Sequence, residues 1–116
     1  MAKQPTVNRN TDFRRMYWRA KSAAAPALVC YAMKNRLGVT RYGITTGKKI
    51  GKAVQRNRAR RVIREAYRSL LPEIGAGWDL VFVARTRTVF SKTPAVEQAM
   101  RKNLTALGVL APRKSQ

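Results

Sequence analysis

Apolar residues recur along this chain with two different periods, and the places where the period changes mark its elements. Phe13, Met16 and Tyr17 fall on one side of a helical wheel, which predicts a short helix over 12–19 capped by Thr11 or Asp12. The stretch 21–26, small residues ending at Pro26, reads as a connection. Residues 27–33 form a compact apolar run suited to a buried strand, and 34–40, with Asn35 and Gly38, form a turn. A shorter strand follows over 41–46, then a basic loop over 47–51. From 52 to 71 the period lengthens: Ala59, Val62, Ile63, Ala66, Tyr67 and Leu70 recur at three- and four-residue spacing, the mark of an amphipathic helix. Pro72, Gly75 and Gly77 end it. Residues 78–84 are apolar on both faces, as a central strand should be. Thr93-Pro94 looks like a helix cap and first position, Val96, Met100, Leu104 and Leu107 give the last helix its stripe, and Gly108 is its stop.

The order is therefore helix, strand, strand, helix, strand, helix. A sheet covered on one face by helices buries these patterns most economically. The long helix joins the second and third strands, which suits a parallel pair and, on pattern alone, a right-handed crossover. The chain of 116 residues is long enough for one domain, spanning 1–116, with 1–10 and 109–116 expected as flexible tails.

Charge changes this picture. Lys and Arg number 25 against 5 Asp plus Glu, a net +20 in a chain that is 45% apolar and so able to build a core. A fold gains nothing from such self-repulsion, and a polyanionic partner, nucleic acid first, accounts for it. The single cysteine, Cys30, excludes an internal disulfide, suggests a reducing compartment, and falls in an apolar run that makes it a core residue. With no apolar run of membrane-spanning length and no signal-peptide pattern, a cytoplasmic protein that contacts no membrane is expected. There is no histidine, and the acids Asp12, Glu65, Glu73, Asp79 and Glu97 are scattered without metal-ligand spacing. A protein nuclease needs carboxylates for metal or a histidine for proton transfer, so no catalytic residue and no metal site is expected on this chain.

The cations concentrate. Between Lys48 and Arg68 there are nine against one acid, Glu65. On a wheel Asn57, Arg60, Arg61, Arg64 and Arg68 share one side, roughly opposite the apolar stripe. Arg56, Arg60, Arg64 and Arg68 form a ladder of like charges, each step costing a few tenths of a kcal/mol. Lys48, Lys49 and Lys52 stand at the helix N-terminus, where the macrodipole disfavours them. A solvated face would mix its signs; this one does not, and arginine suits forked phosphate contacts. Asn57 is either a directional hydrogen-bonding group or a plain surface residue. The run from Gly47 to Ala53 only superficially resembles a phosphate loop, being one residue short and lacking the hydroxyl a P-loop places on magnesium. The arginine run, set in a patterned helix, is no localisation signal.

The segment Gly43–Glu65, GITTGKKIGKAVQRNRARRVIRE, with its Arg56-Asn57-Arg58 core, closely resembles the protein subunit of bacterial ribonuclease P. The likeness extends to Asp12-Phe13 with Tyr17, to Leu28-Val29-Cys30-Tyr31 and to Asp79–Arg85, covering roughly residues 6–108 in order. It implies an α+β fold: an α/β sandwich with a four-stranded-type central sheet, helices packed on it, and a left-handed βαβ crossover in place of the right-handed one. It implies the protein component of an endoribonuclease that removes the 5′ leader from precursor tRNA. In that family the catalytic RNA performs the hydrolysis and holds the required Mg2+, and no protein partner is needed.

Two surfaces carry over by resemblance. Lys48, Lys49, Lys52, Arg56, Asn57, Arg58, Arg60, Arg61 and Arg64, extended by Arg68, match the basic motif that contacts the RNA subunit. Phe13, Tyr17 and Tyr31 match aromatic positions lining a cleft for the single-stranded leader, where flat rings stack on unpaired bases without demanding a sequence. Arg60 stands where a lysine is common, which keeps the charge but changes hydrogen-bond geometry, and Gly47 where a serine is frequent, which makes a more flexible loop the expectation. The competing reading is a structural RNA-binding protein such as a ribosomal protein, which composition and the basic helix allow equally well. A nuclease acting alone has little support.

Overall fold

A computed structural model describes Thr6 and residues 10–110, the side chains of 10–12 excepted. Helix α1 (Asn10–Arg19) leads into strand β1 (Lys21–Ala24), followed by β2 (Leu28–Lys34) and β3 (Arg41–Thr45). A single 3-10 turn (Lys48–Ile50) precedes the long helix α2 (Ala53–Leu70), and a second one (Leu71–Glu73) closes it. Strand β4 (Trp78–Ala84), the short helix α3 (Thr86–Phe90) and α4 (Thr93–Ala106) complete the chain. The four strands lie in the order β1-β2-β4-β3. β4 pairs antiparallel with β2 and parallel with β3, so α2 is the crossover joining the parallel pair. The fold is the α+β sandwich the sequence led us to expect.

Register divides the sheet into two faces. Leu28, Cys30 and Ala32 of β2 stand opposite Ala84, Phe82 and Leu80 of β4, and Tyr42 and Ile44 of β3 join them. These side chains pack with Ala59, Val62, Ile63, Ala66, Tyr67 and Leu70 of α2 and Val96, Met100 and Leu104 of α4 in one core. The helix periods found in the sequence thus meet the strand period on a single face. The opposite face carries Val29, Tyr31 and Met33 of β2, Asp79, Val81 and Val83 of β4, and Arg41, Gly43 and Thr45 of β3. α1 packs on β2 and roofs only part of that face, burying Met16.

Several expectations need correction. Residues 21–24 are an edge strand, not connection: Lys-Ser-Ala-Ala carries no alternation, and the pairing of Lys21 with Ala32 through Ala24 with Val29 holds it in place. The pattern gave no element over 86–90, because five residues of α3 are too few to show a period. The basic loop contains a 3-10 turn, and Lys52 is the residue before α2 rather than its first. α1 begins at Asn10, so Thr11 and Asp12 lie within the helix and its capping position falls outside the described residues. Lys92, not Thr93, flanks α4, while Thr93 Oγ1 donates to Glu65 Oε2 at 2.9 Å. Nor does the chain become a free tail at 109. Gly108 adopts φ +82° and the Val109 amide donates to the Leu104 carbonyl at 2.9 Å, turning Val109 and Leu110 into the core. The other residues expected as tails, 1–5, 7–9 and 111–116, lie outside the described ones, whereas Thr6 bridges to Tyr42.

Candidate RNA interface

α2 presents its cations because its apolar arc is fully used. Ala59, Ile63, Ala66 and Leu70 are sealed, and the opposite arc is left to solvent. Asn57, Arg58, Arg60, Arg61 and Arg64 line one shallow groove on that outer side, with Val54 at its end. Lys48, Lys49 and Lys52 are exposed just ahead of the helix, and Arg68 is exposed one turn beyond. A sharp bend makes this cluster possible: Gly51 has φ +135°, and the Lys52 amide donates to Gln55 Oε1 at 2.7 Å. A Cβ at Gly51 would meet that same oxygen at 2.1 Å. The positive φ requires glycine there, and a side chain would also have to displace the Gln55 cap.

The arginine ladder is not one equivalent row. Arg56 projects within the arc of Ile63 and Tyr67, which buries its Nε with no hydrogen-bond partner among the described residues. Arg60, on the flank of that arc, donates from Nη2 to Thr46 Oγ1 at 2.9 Å. Arg58, on the other flank, donates from Nε to the Val89 carbonyl at 2.8 Å and ties α2 to α3. Arg61, Arg64 and Arg68 stay exposed. Three of the predicted RNA-binding arginines are thus partly structural, and three are wholly available to a ligand.

The aromatic set comes together on the other face of the sheet. Phe13 and Tyr17 line a groove between α1 and the end of β3, with Arg14, Ile44 and Thr45 completing its wall. Tyr31 stands behind them: its ring meets Tyr17 edge-on at 5.0 Å and does not line the groove itself. Tyr17 remains 44% exposed. Arg14 and Thr45 went unnoticed in the sequence. Arg14 could have been found, since one helical turn separates it from Tyr17, whereas Thr45 needed the strand register.

At the other end of β3 and β4, on the same face, lies a polar cluster. Asp79, 2% exposed, accepts from Arg41 Nε at 2.9 Å and Nη2 at 2.7 Å, and from Asn35 Nδ2 at 2.7 Å. Burial alone would raise its carboxyl. The hydrogen bonds from Arg41 and Asn35, with the charges of Arg41 and Arg15, outweigh that and hold it below the usual carboxylate range. Cys30, fully buried, is pushed up to about 12 by burial, against a weaker hydrogen bond from Asn103, and is an inert core thiol as expected. Among the described residues no three of His, Cys, Asp or Glu come together as a metal would need, and no helix is long and apolar enough to cross a membrane.

A four-stranded α+β sandwich with an arginine-faced crossover helix and an aromatic groove beside it defines a class of RNA-binding proteins. The ribonuclease P family model matches residues 1–108. The chain is 38% identical over 108 residues to the ribonuclease P protein component of Clostridium botulinum (strain Loch Maree / Type A3), covering 92% of this chain and 97% of that one. It is 41% identical over 99 residues to the protein component from Clostridioides difficile (strain 630), covering 84% and 86%. The solved RNase P protein of Staphylococcus aureus superposes with a TM-score of 0.81 at 30% identity, over 93% of this chain and 99% of that one. The RNase P protein from Thermotoga maritima does so at 0.76 and 25%, over 94% and 100%. The chain belongs to the ribonuclease P protein family: it is an RNA-binding, tRNA-processing protein subunit whose partner is the ribonuclease P RNA. Nothing in these likenesses supports the ribosomal alternative.

Proposed function

We propose that this subunit holds RNA at two surfaces, the catalytic RNA on the outer face of α2 and the single-stranded 5′ leader of precursor tRNA in the groove of Phe13 and Tyr17. The observation that carries the reading is the junction between them. Thr45 lines the aromatic groove, and its neighbour Thr46 accepts the hydrogen bond of Arg60 from the basic helix. The end of β3 therefore belongs to both surfaces, and a strand lying in the groove runs alongside the cations of α2. Phosphates neutralised there release counterions and add affinity regardless of sequence, while the rings stack on bases. Mature tRNA, which has no leader, has nothing to place in the groove.

On this reading the hydrolysis belongs to the RNA subunit, which would hold the Mg2+ and through it supply Lewis-acid chemistry, while this chain binds and orients the RNA. The donor set of this chain supports that division. Asp79 is committed to Arg41 and Asn35, Glu73 to Arg101 and Glu65 to Thr93. The protein's part is to bind and orient, and its cations lower the magnesium needed to offset repulsion between leader and catalytic RNA. No second protein is required, and a buried free thiol suits the cytoplasm.

The test is cleavage of a precursor tRNA by a bacterial ribonuclease P RNA at low magnesium, with and without this protein. Strong stimulation is expected, with no cleavage by the protein alone. Robust cleavage by RNA-free protein, abolished by changing its own acids, would move the chemistry onto this chain. Absence of stimulation with a matched RNA would remove the leader-holding role.

A further inference from the structure

Among the described side chains of α1, Trp18 is the large one that the fold leaves almost wholly in water, at 88% exposure. A single exposed apolar residue is ordinary, but its surroundings are not. At about 100° per residue, Tyr17, Arg14 and Trp18 follow one another around α1 in that order, Arg14 standing between the other two. Tyr17 and Arg14 both line the aromatic groove, so Trp18 begins where the groove's rim ends. An exposed indole next to an exposed guanidinium, in a chain of net charge +20, is chemically matched to one occupant: an unpaired nucleotide, its base on the ring and its phosphate on the arginine.

We propose that Trp18 is a second stacking platform for single-stranded RNA, continuing the leader path out of the groove and over the outer side of α1. The inference rests on the reading that the leader lies in the groove. A nucleotide leaving Tyr17 passes Arg14, turns over the helix and stacks on Trp18, so the platform serves only leaders long enough to reach it. The two steps therefore differ in their dependence on leader length.

The test uses the holoenzyme assembled with a bacterial ribonuclease P RNA and two precursor tRNAs, one whose leader ends in the groove and one whose leader extends past it. Trp18→Ala is expected to weaken binding of the long-leader substrate by about tenfold, the scale of removing one base–aromatic stack, and to leave the short-leader substrate unchanged. Trp18→Phe should restore most of the loss. In a Trp78→Phe background, where Trp18 is the only indole, its emission should be quenched by the long leader and not by the short one. Equal effects on both substrates, or an indole blind to the long leader, would overturn the platform. So would a change in Trp18 emission on raising the protein concentration without RNA, which would assign the residue to self-association. Tyr17→Ala separates the two readings. If it abolishes leader dependence while Trp18→Ala does nothing, only the extension fails; if neither matters, the groove reading fails with it.

Discussion

The two faces of the β-sheet have opposite constitutions. One is sealed by α2 and α4 and built from Leu28, Phe82, Ile63, Leu70 and Met100, all inaccessible to water. The other is half-roofed by α1, and adds to its valines an ion pair, Arg41–Asp79, and a set of aromatic rings left partly wet. The first face stabilises the molecule, and the second has given up burial for a groove. The same division runs along α2, whose inner arc is apolar and whose outer arc repels itself. In both places the proposed RNA contacts occupy the side that stability does not need.

This contrast breaks most visibly at Phe82. Truncation of a fully buried phenylalanine at the middle of the sealed face should cost about 4 kcal/mol, the range for such core cavities. Urea denaturation of Phe82→Ala should show that loss, and a variant still folded should keep its RNA affinity. A loss below about 1 kcal/mol would mean that the sealed face is not where the stability resides.

On the open face, the most costly single change is at Asp79. Asp79→Asn strands the charge of Arg41, whose side chain is 22% exposed. That partial access to water should bring the cost to about 2 kcal/mol, below the range for fully buried pairs. The pH dependence gives the sign. Because the folded carboxyl titrates below its usual range, its contribution is complete above that range and is lost as pH falls through the depressed value. The gap between the wild type and Asp79→Asn should therefore be constant near neutrality and close in acid. A gap that widened in acid would contradict the ion-pair account.

Smaller in energy, but decisive for the comparison, are the groove residues. Tyr17→Ala, at a ring 44% exposed, should leave folding stability within about 1 kcal/mol while weakening precursor tRNA binding about tenfold and mature tRNA binding not at all. Equal losses for both RNAs would place the leader elsewhere. The basic helix admits the same kind of separation. Arg61→Glu with Arg64→Glu touches only exposed guanidiniums and should flatten the salt dependence of RNA binding by roughly one log–log unit for each phosphate that is no longer neutralised. Changing Arg60 instead would also remove its hydrogen bond to Thr46 and confuse the two effects.

How much of this was legible in the sequence follows the same division. The sealed face was read almost residue by residue, because burial imposes a period and a period can be seen: α2, β2, β3 and β4 fall within a residue or so of the predicted limits. β1 was not legible, since Lys21–Ala24 owes its conformation to pairing with β2 and not to its own side chains. α3 is too short to repeat anything. Of the site, the basic face was evident from charge alone and the aromatic set from family resemblance. What charge could not reveal is that Arg56, Arg58 and Arg60 are turned toward the protein, because that depends on which strand end and which carbonyl lie beside each one. Nor could periodicity disclose that Thr45 lines the aromatic groove while its neighbour Thr46 accepts from Arg60, which depends on how α1 and α2 meet the end of β3.

The smallest predicted effect has the opposite sign to the others. Tyr67 lies in the sealed core, stacked on Tyr42 at 4.4 Å and tilted against Phe82 at 5.5 Å. Its hydroxyl is buried and finds no hydrogen-bond partner among the described residues. Burial, with a lesser contribution from Tyr42, pushes its ionisation up to about 12, so the group stays neutral under all ordinary conditions. Such an unsatisfied hydroxyl costs free energy that the ring contacts do not require. Tyr67→Phe keeps both stacks and removes the cost, and it should raise stability by up to about 1 kcal/mol. Removal of a polar group thus stabilises on the sealed face and destabilises at Asp79 on the open one. A thermal melt distinguishes the cases directly: a Tyr67→Phe variant less stable than the wild type would mean that the hydroxyl is satisfied, and that the sealed face harbours a polar contact of its own.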